Sequence, residues 1–314
     1  MSYQVLTDSD VLRLTRMKPV IEAIERVFRE QANATLVSPP RFQLETENGN
    51  LVFTAGAATK TEKVVGFRVY DTYSNDHSGH EQLVSVFDSV TGVFKGIIIG
   101  NLLGALRTGA IGGAAIKVMS RSDAEQLAII GTGIQARTQV EAAIAIRDIK
   151  RVLVYSRNDI NRKKFAEEMS EKLDMDVIPM DSPKKCVEKA DIIICATNSR
   201  SPVIDADWLK PGVHINTVGP KSMNGHELPI EVAGKSSVIT TDSLEQLCAY
   251  STPHFLANTP YEQNIVQLSD IITGKTPGRT SPNDVTLFCS VGLSGTEVVV
   301  AHEIMKLAEK YARI

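Results

Sequence analysis

The chain has 314 residues, with 34 Lys and Arg against 37 Asp and Glu and a formal charge of -3, so it lacks the basic excess that a nucleic-acid surface requires. Hydrophobic residues make up 43% and charged residues 23%, an ordinary globular balance, and the length calls for two domains. Apolar runs such as Gly96 to Ala105 fall short of a bilayer span and Met1 to Asp10 holds no secretory core, so small ligands, no membrane and a cytoplasmic setting are expected.

From the N-terminus, Asp8 to Ala32 reads as one or two short helices, with Val20, Ile21, Ile24, Val27 and Phe28 at helical spacing and Pro19 tolerated in a first turn. Leu51 to Phe53, Lys63 to Tyr70, Gln82 to Phe87 and Phe94 to Ile99 are β-branched or aromatic runs divided by Asn-Gly, Ser-Gly and Thr-Gly turns, which predicts an antiparallel sheet. Leu103 to Met119 returns to helix, rich in Ala and Gly for close packing, and Ser120 to Asp123 is the expected crossing into a second domain.

Beyond the crossing the pattern alternates. Strands are expected at Leu127 to Ile130, Arg151 to Tyr155, Asp176 to Pro179, Asp191 to Ala196, His214 to Val218 and Ser237 to Thr240, with helices at Ile134 to Ile146, Asp159 to Leu173 and Pro183 to Lys189. Such interleaving predicts a doubly wound, Rossmann-type parallel sheet. Val285 to Val291 reads as a strand and Ser294 to Arg313 as an amphipathic helix that returns to the first domain and covers its sheet. The expected division is an α+β domain from residues 1–119 and 284–314, and an α/β domain from residues 120–283.

The strongest motif opens the second domain. Leu127 to Ile130 feeds Gly131-Thr132-Gly133-Ile134-Gln135-Ala136 and then a helical run, the strand-turn-helix context that gives a G-x-G-x-x-A spacing meaning as a dinucleotide site. Gly131 permits the tight turn, Gly133 lets backbone N–H groups approach a pyrophosphate, and Ala136 allows the helix to pack closely on the strand. The next strand ends in Tyr155-Ser156-Arg157-Asn158 without a carboxylate. Ser156 and Arg157 suit a 2′-phosphate, which favours NADP(H) with NAD(H) as the alternative; the plainer reading of Arg157 is a solvated loop arginine.

Other groups carry less. Cys186, Cys195, Cys248 and Cys289 show no paired spacing and read as buried free thiols rather than disulfides or zinc ligands. His77-Ser78-Gly79-His80 lies in a polar turn with no third ligand and reads as solvated loop, so no metal is expected. His226 and Glu227 follow the Lys221 segment, Glu227 without an assignable role, and His254 is uninformative. No G-x-S-x-G nucleophile elbow is present.

Taken together, Ala105-Leu106-Arg107-Thr108-Gly109-Ala110, Pro40-Arg41, Val65-Gly66-Phe67-Arg68-Val69, the Gly131 turn, Ala196-Thr197-Asn198, Lys210-Pro211-Gly212-Val213-His214-Ile215-Asn216 and Ser290-Val291-Gly292-Leu293 resemble the ornithine cyclodeaminase and mu-crystallin family over nearly the whole chain. The resemblance implies a bound nicotinamide coenzyme acting on a small amino or imino acid, and a homodimer joined through the non-nucleotide domain. It makes Arg41 and Arg107 the clamp for a substrate carboxylate, a match that guanidinium geometry supports, and Arg68 is a further candidate ligand. Salt bridging and ordinary solvation are the structural alternatives for Arg107 and Arg41. It also places Thr108, Ala196, Thr197, Asn198, Val218 and Gly292 on the cofactor, beside Gly131 to Ala136, Ser156 and Arg157.

Two departures shape the expected chemistry. Arg68 stands where the family usually has lysine, and Lys221 stands where cyclodeaminases have aspartate. A deaminative cyclisation needs a carboxylate to help activate an amine, which a protonated lysine cannot supply. Hydride transfer to an imine needs chiefly orientation and one proton. Arg68 and Lys221 are therefore the expected catalytic positions of an imine reductase or amino-acid dehydrogenase, Lys221 as proton donor or, alternatively, as a solvated loop lysine. A lyase using NAD catalytically is one alternative, and a non-catalytic NADPH- or ligand-binding protein is another.

Overall fold

A computed structural model describes residues 3–73 and 82–312. His77 and His80 lie outside the described residues. The chain divides into two compact units, one made of Met1–Arg107 with Gly292–Ile314 and the other of Thr108–Val291.

The first unit opens with β1 (Gln4–Thr7), α1 (Asp8–Leu14), α2 (Met17–Ala32), β2 (Leu36–Val37), β3 (Phe42–Thr46), β4 (Gly49–Ala58), β5 (Val64–Asp71), β6 (Gln82–Asp88) and β7 (Phe94–Ile99). Helix α3 (Leu102–Met119) follows and contains the division between units. The sheet runs β1-β7-β6-β5-β4-β2, with β3 also paired to β4. It is mixed rather than purely antiparallel, because β1 pairs parallel to β7.

Along β4, Val52, Thr54 and Gly56 turn to the buried face while Leu51 and Phe53 turn outward, the period-two pattern of a half-buried strand. The Leu51 to Phe53 expectation captured only the middle of this ten-residue strand. Strand β3 was not anticipated: its five residues are all exposed, so it lacks the alternation that marks a strand in sequence.

The second unit contains β8 (Gln126–Ile130), α4 (Ile134–Ile146), β9 (Arg151–Tyr155), α5 (Asp159–Leu173), β10 (Val177–Pro179), α6 (Pro183–Val187), β11 (Ile192–Cys195), β12 (His214–Thr217), β13 (Lys221–Ser222), β14 (Gly225–His226), α7 (Glu231–Lys235), β15 (Val238–Thr241), α8 (Leu244–Cys248), β16 (Ile265–Gln267), α9 (Leu268–Ile272) and β17 (Thr286–Cys289). Eight parallel strands run β10-β9-β8-β11-β12-β17-β15-β16. The first five carry the 3-2-1-4-5 order of a Rossmann sheet, whose switch point lies between β8 and β11.

Strand β11 is four buried apolar residues in a row, as expected of a central parallel strand covered on both faces. Asn158 caps α5 through its side chain, which accepts from Asn161 N at 2.9 Å, and Asp174 ends that helix in the left-handed region. The C-terminus of α3 is closed by Arg147, which donates to the carbonyls of Ile116 at 3.1 Å and Lys117 at 2.8 Å. This places a cation where the helix dipole is negative.

The last helix, α10 (Thr296–Ala312), belongs to the first unit and packs on α2 and on β4 to β7. Several expected ends move by one or two residues. The Val285 to Val291 run is strand only over Thr286–Cys289, and Pro183 to Lys189 is helix only to Val187. Cys248 is exposed rather than buried, because α8 is one short turn at the surface of its unit. Among the described residues, Leu102–Met119 is long and apolar enough to cross a membrane but is mostly buried inside the fold.

Candidate active site

In the second unit, the residues expected on a dinucleotide collect at the carboxyl ends of neighbouring strands. Gly131 follows β8, Ser156 and Arg157 follow β9, Ala196 to Asn198 follow β11, and Val218 follows β12. Gly131 takes φ +116° and donates its N–H to the Tyr155 carbonyl at 2.9 Å; a β-carbon there would collide with the Ala196 carbonyl oxygen. Only glycine fits that turn.

Gly133 is the N-cap of the 13-residue helix α4, and among the described residues no side chain caps it and nothing lies within 4 Å of where its β-carbon would sit. An open helix start of this kind, with Ile134, Gln135 and Ala136 in its first turn, can take a pyrophosphate on its N–H groups. Ser156 Oγ donates to the Asn158 carbonyl at 3.0 Å, and Arg157 is exposed beside it. Thr108 accepts from Gln139 Nε2 at its carbonyl, 3.0 Å away.

Beyond β12 the chain turns through Val218 to Pro220 into the small hairpin of β13 and β14. Lys221 folds its ammonium back onto the carbonyls of Val218 at 3.1 Å and Gly219 at 2.5 Å. Its cross-strand neighbour is His226. Next to the hairpin lies His254, whose Nε2 is buried without a hydrogen-bond partner among the described residues; burial and the charges of Lys221 and His226 push it down to about 3, so it is neutral at physiological pH.

In the first unit, the three expected guanidiniums gather around a carboxylate that sequence reasoning missed. Glu297, fully buried at the start of α10, accepts from Arg107 Nη2 at 2.8 Å and Arg68 Nη1 at 3.2 Å through the same oxygen, Oε1. Burial pushes this carboxyl up, but Arg107, Arg68 and Arg41 outweigh it and hold it below the ordinary carboxylate range. Arg68 also donates Nε to Gln82 Oε1 at 2.8 Å and stacks 4.2 Å over the Tyr70 ring. Burial lowers its guanidinium from the usual value, with Glu297 opposing, and a guanidinium still keeps its charge.

Arg107 is 7% exposed and its Nε has no partner among the described residues. Gly292, expected on the cofactor, lies beside this cluster: it takes φ +89°, and a β-carbon there would lie 2.9 Å from Arg41 Nη2 and 3.4 Å from Arg107 Nη1. The signal for Glu297 was present in sequence as one acid within a run that turns Val298 to Ala301 into the core. Three guanidiniums against one carboxylate leave an excess positive charge that an anionic ligand can neutralise. No group of three or more His, Cys, Asp or Glu side chains that could hold a metal occurs among the described residues.

A Rossmann sheet with an uncapped glycine turn at its switch point, accompanied by a separate arginine-rich α+β unit, defines a two-unit nucleotide-fold protein. The chain belongs to the ornithine cyclodeaminase/mu-crystallin family, whose model matches residues 1–311. It is 29% identical over 315 residues to the Delta(1)-pyrroline-2-carboxylate reductase of Bacillus cereus, covering 97% of this chain and 96% of that one. It is 32% identical to the Thermococcus litoralis Delta(1)-pyrroline-2-carboxylate reductase solved with NADH and L-proline, with a TM-score of 0.88 and 98% of each chain covered. An archaeal alanine dehydrogenase dimer with bound NAD is 26% identical at a TM-score of 0.88, over 99% of this chain and 98% of that one.

Proposed function

We propose that this chain is an NAD(P)H-dependent oxidoreductase that reduces a small cyclic imino acid, of the pyrroline- or piperideine-2-carboxylate type, or interconverts an amino acid with its imino or keto form. The observation that carries this reading is the pair of guanidiniums, Arg41 and Arg107, flanking the bare Cα of Gly292 beside the buried Glu297. A carboxylate of the substrate is the ligand this pair suits, through planar forked hydrogen bonds. The names of the relatives support the same substrate class.

The nicotinamide, when bound, supplies a hydride to the C=N carbon, and the nitrogen must gain a proton to complete the amine. In this reading Arg41 and Arg107 orient the imine, and Arg68, held by Glu297, Gln82 and Tyr70, keeps the clamp charged and fixed. Lys221 supplies the proton, its ammonium form favoured by two carbonyl acceptors. Gly131 to Ala136 with Thr108, Ala196 to Asn198 and Val218 hold the coenzyme, and Ser156 and Arg157 favour NADPH over NADH.

A homodimer through the first unit fits an exposed apolar face on β3 and β4. Phe42 is 56% and Leu44 54% exposed, Phe42 stacks on Phe53 at 5.1 Å, and Leu44 pairs with Leu51 on that face. A second copy of the chain is the occupant we assign to it, in keeping with the dimeric alanine dehydrogenase relative.

The test is loss of NADPH absorbance on adding pyrroline-2-carboxylate or piperideine-2-carboxylate. Turnover of either supports the reading, and no turnover of both sinks it. Ammonia release from ornithine with no net change in coenzyme would favour a lyase instead. Tight NADPH binding without turnover across an amino- and imino-acid panel would favour a binding protein.

A further inference from the structure

Glu227 has no exposed surface, and its carboxylate gathers five donors from two strand ends. Oε2 accepts from Thr197 N at 2.9 Å and Thr197 Oγ1 at 2.8 Å, beyond β11. Oε1 accepts from Thr217 Oγ1 at 2.8 Å, Val218 N at 3.1 Å and Gly219 N at 2.6 Å, at the end of β12. Its own backbone is fixed as well, donating to the Pro220 carbonyl at 3.0 Å and accepting from Val203 N at 2.9 Å.

All five donors are neutral, and among the described residues no cation touches the carboxylate. A buried anion is expensive without a compensating charge. The peptide between Val218 and Gly219 links this anion to a cation: its N–H donates to Glu227, and its carbonyl accepts the Lys221 ammonium. Hydrogen bonding at one end of a peptide polarises the other, so the carboxylate strengthens the oxygen that holds the lysine.

We propose that Glu227 is the positioning residue for Lys221, acting through the Val218–Gly219 peptide to fix where the ammonium stands and to keep it charged, while its second oxygen fixes Thr197 at the adjoining strand end. The proposal rests on Lys221 as the proton donor of the imine reduction. The other titratable groups about the ammonium are His226 across the hairpin, His254 on the adjoining segment, Cys289 at the end of β17, and Asp242 just past the end of β15. His226 is engaged at Nδ1 by the Leu228 carbonyl at 2.6 Å, and Asp242 accepts from Val291 N at 2.8 Å. Burial first, with Asp242 and Glu227 adding to it against Lys221, pushes the Cys289 thiol up to about 12, so it stays protonated across the working range.

The experiment compares pH profiles of kcat for the intact chain, Glu227→Gln and Lys221→Met. Loss of the anion weakens the ammonium, so in Glu227→Gln the basic limb moves down by about one pH unit, and loss of its placement lowers kcat on the plateau by about tenfold or more. NADPH affinity is read in parallel by fluorescence titration and kcat is taken at saturating NADPH, since Glu227 also fixes Thr197 and Val218, which the proposed function puts on the coenzyme. An unmoved limb, or a fall in kcat matched by an equal fall in NADPH affinity, overturns the proposal.

Lys221→Met separates the two readings. If it keeps the limb and the activity, Lys221 is not the donor; if it abolishes the limb while Glu227→Gln leaves it in place, only the positioning role fails. Should Glu227→Gln not fold, Glu227→Asp keeps the charge but retracts it by one methylene: a kcat loss of about tenfold or more at unchanged NADPH affinity supports positioning, and an unchanged kcat refutes it.

Discussion

Arg107 Nη2 and Glu297 Oε1 stand 2.8 Å apart with side chains 9% and 2% exposed, in an ion pair whose arginine keeps an Nε unpartnered among the described residues. The carboxylate is therefore a fixed part of the cluster, and Arg107 retains donor capacity that Glu297 does not use.

Removing Arg107 tests this arrangement. Arg107→Ala should lower kcat/KM for the imine by about 100-fold, equivalent to about 2.7 kcal/mol at 1.36 kcal/mol per tenfold. NADPH affinity should stay near that of the intact chain. Because Glu297 loses its shorter partner, stability should also fall by about 3 kcal/mol, read as a lower urea midpoint. Unchanged KM and kcat would remove Arg107 from the substrate site.

In the proposed function Arg157 carries the coenzyme preference. Arg157→Ala should weaken NADPH by about tenfold or more, the size of one lost charge-assisted hydrogen bond, and leave NADH unaffected. Equal losses for both coenzymes, or none, would assign Arg157 to the solvated loop instead.

The exposed face of β3 and β4 governs assembly in the proposed dimer. Phe42→Asp combined with Leu44→Asp should halve the mass seen by sedimentation, because two charges cannot be buried there without partners. An unaltered mass would place the contact elsewhere.

Stability should depend on pH through Glu62 in the first unit. His302 Nδ1 at 3.8 Å, Arg26 Nε at 2.7 Å and Lys306 Nζ at 3.0 Å surround its carboxylate and hold it well below the ordinary 4.5. A depressed carboxyl contributes stability that is complete above the unfolded-state value and is lost as pH falls through the folded one. The urea midpoint of the intact chain should thus drop below about pH 5, and Glu62→Gln should flatten that dependence. Parallel curves for the two proteins would show that Glu62 carries none of it.

The parts of the fold legible in sequence are those with local rules. Ile134–Ile146, Arg151–Tyr155, Asp159–Leu173 and Phe94–Ile99 form where periodicity and punctuation predicted them. Strand β3 and the hairpin of β13 and β14 were hidden because one is wholly exposed and the other is two residues per strand. Glu297 was hidden for another reason. An acid in the first turn of a helix reads as a partner for the helix dipole, and its arginine partner Arg68 lies 229 positions away. Glu227 drew notice without a role, since its five donors come from residues brought together only by parallel strand pairing.

Gly292 gives the architecture a single vulnerable point. At φ +89° it sits so close to two cations that a β-carbon would press on Arg41 Nη2 at 2.9 Å, and Gly292→Asp would set an acid tethered to the chain itself against Arg41 and Arg107, at a backbone angle that also penalises the change. The product would be a self-plugged protein, still loading its coenzyme but deaf to imines, and its separate titration with each would tell storage of the coenzyme from its use.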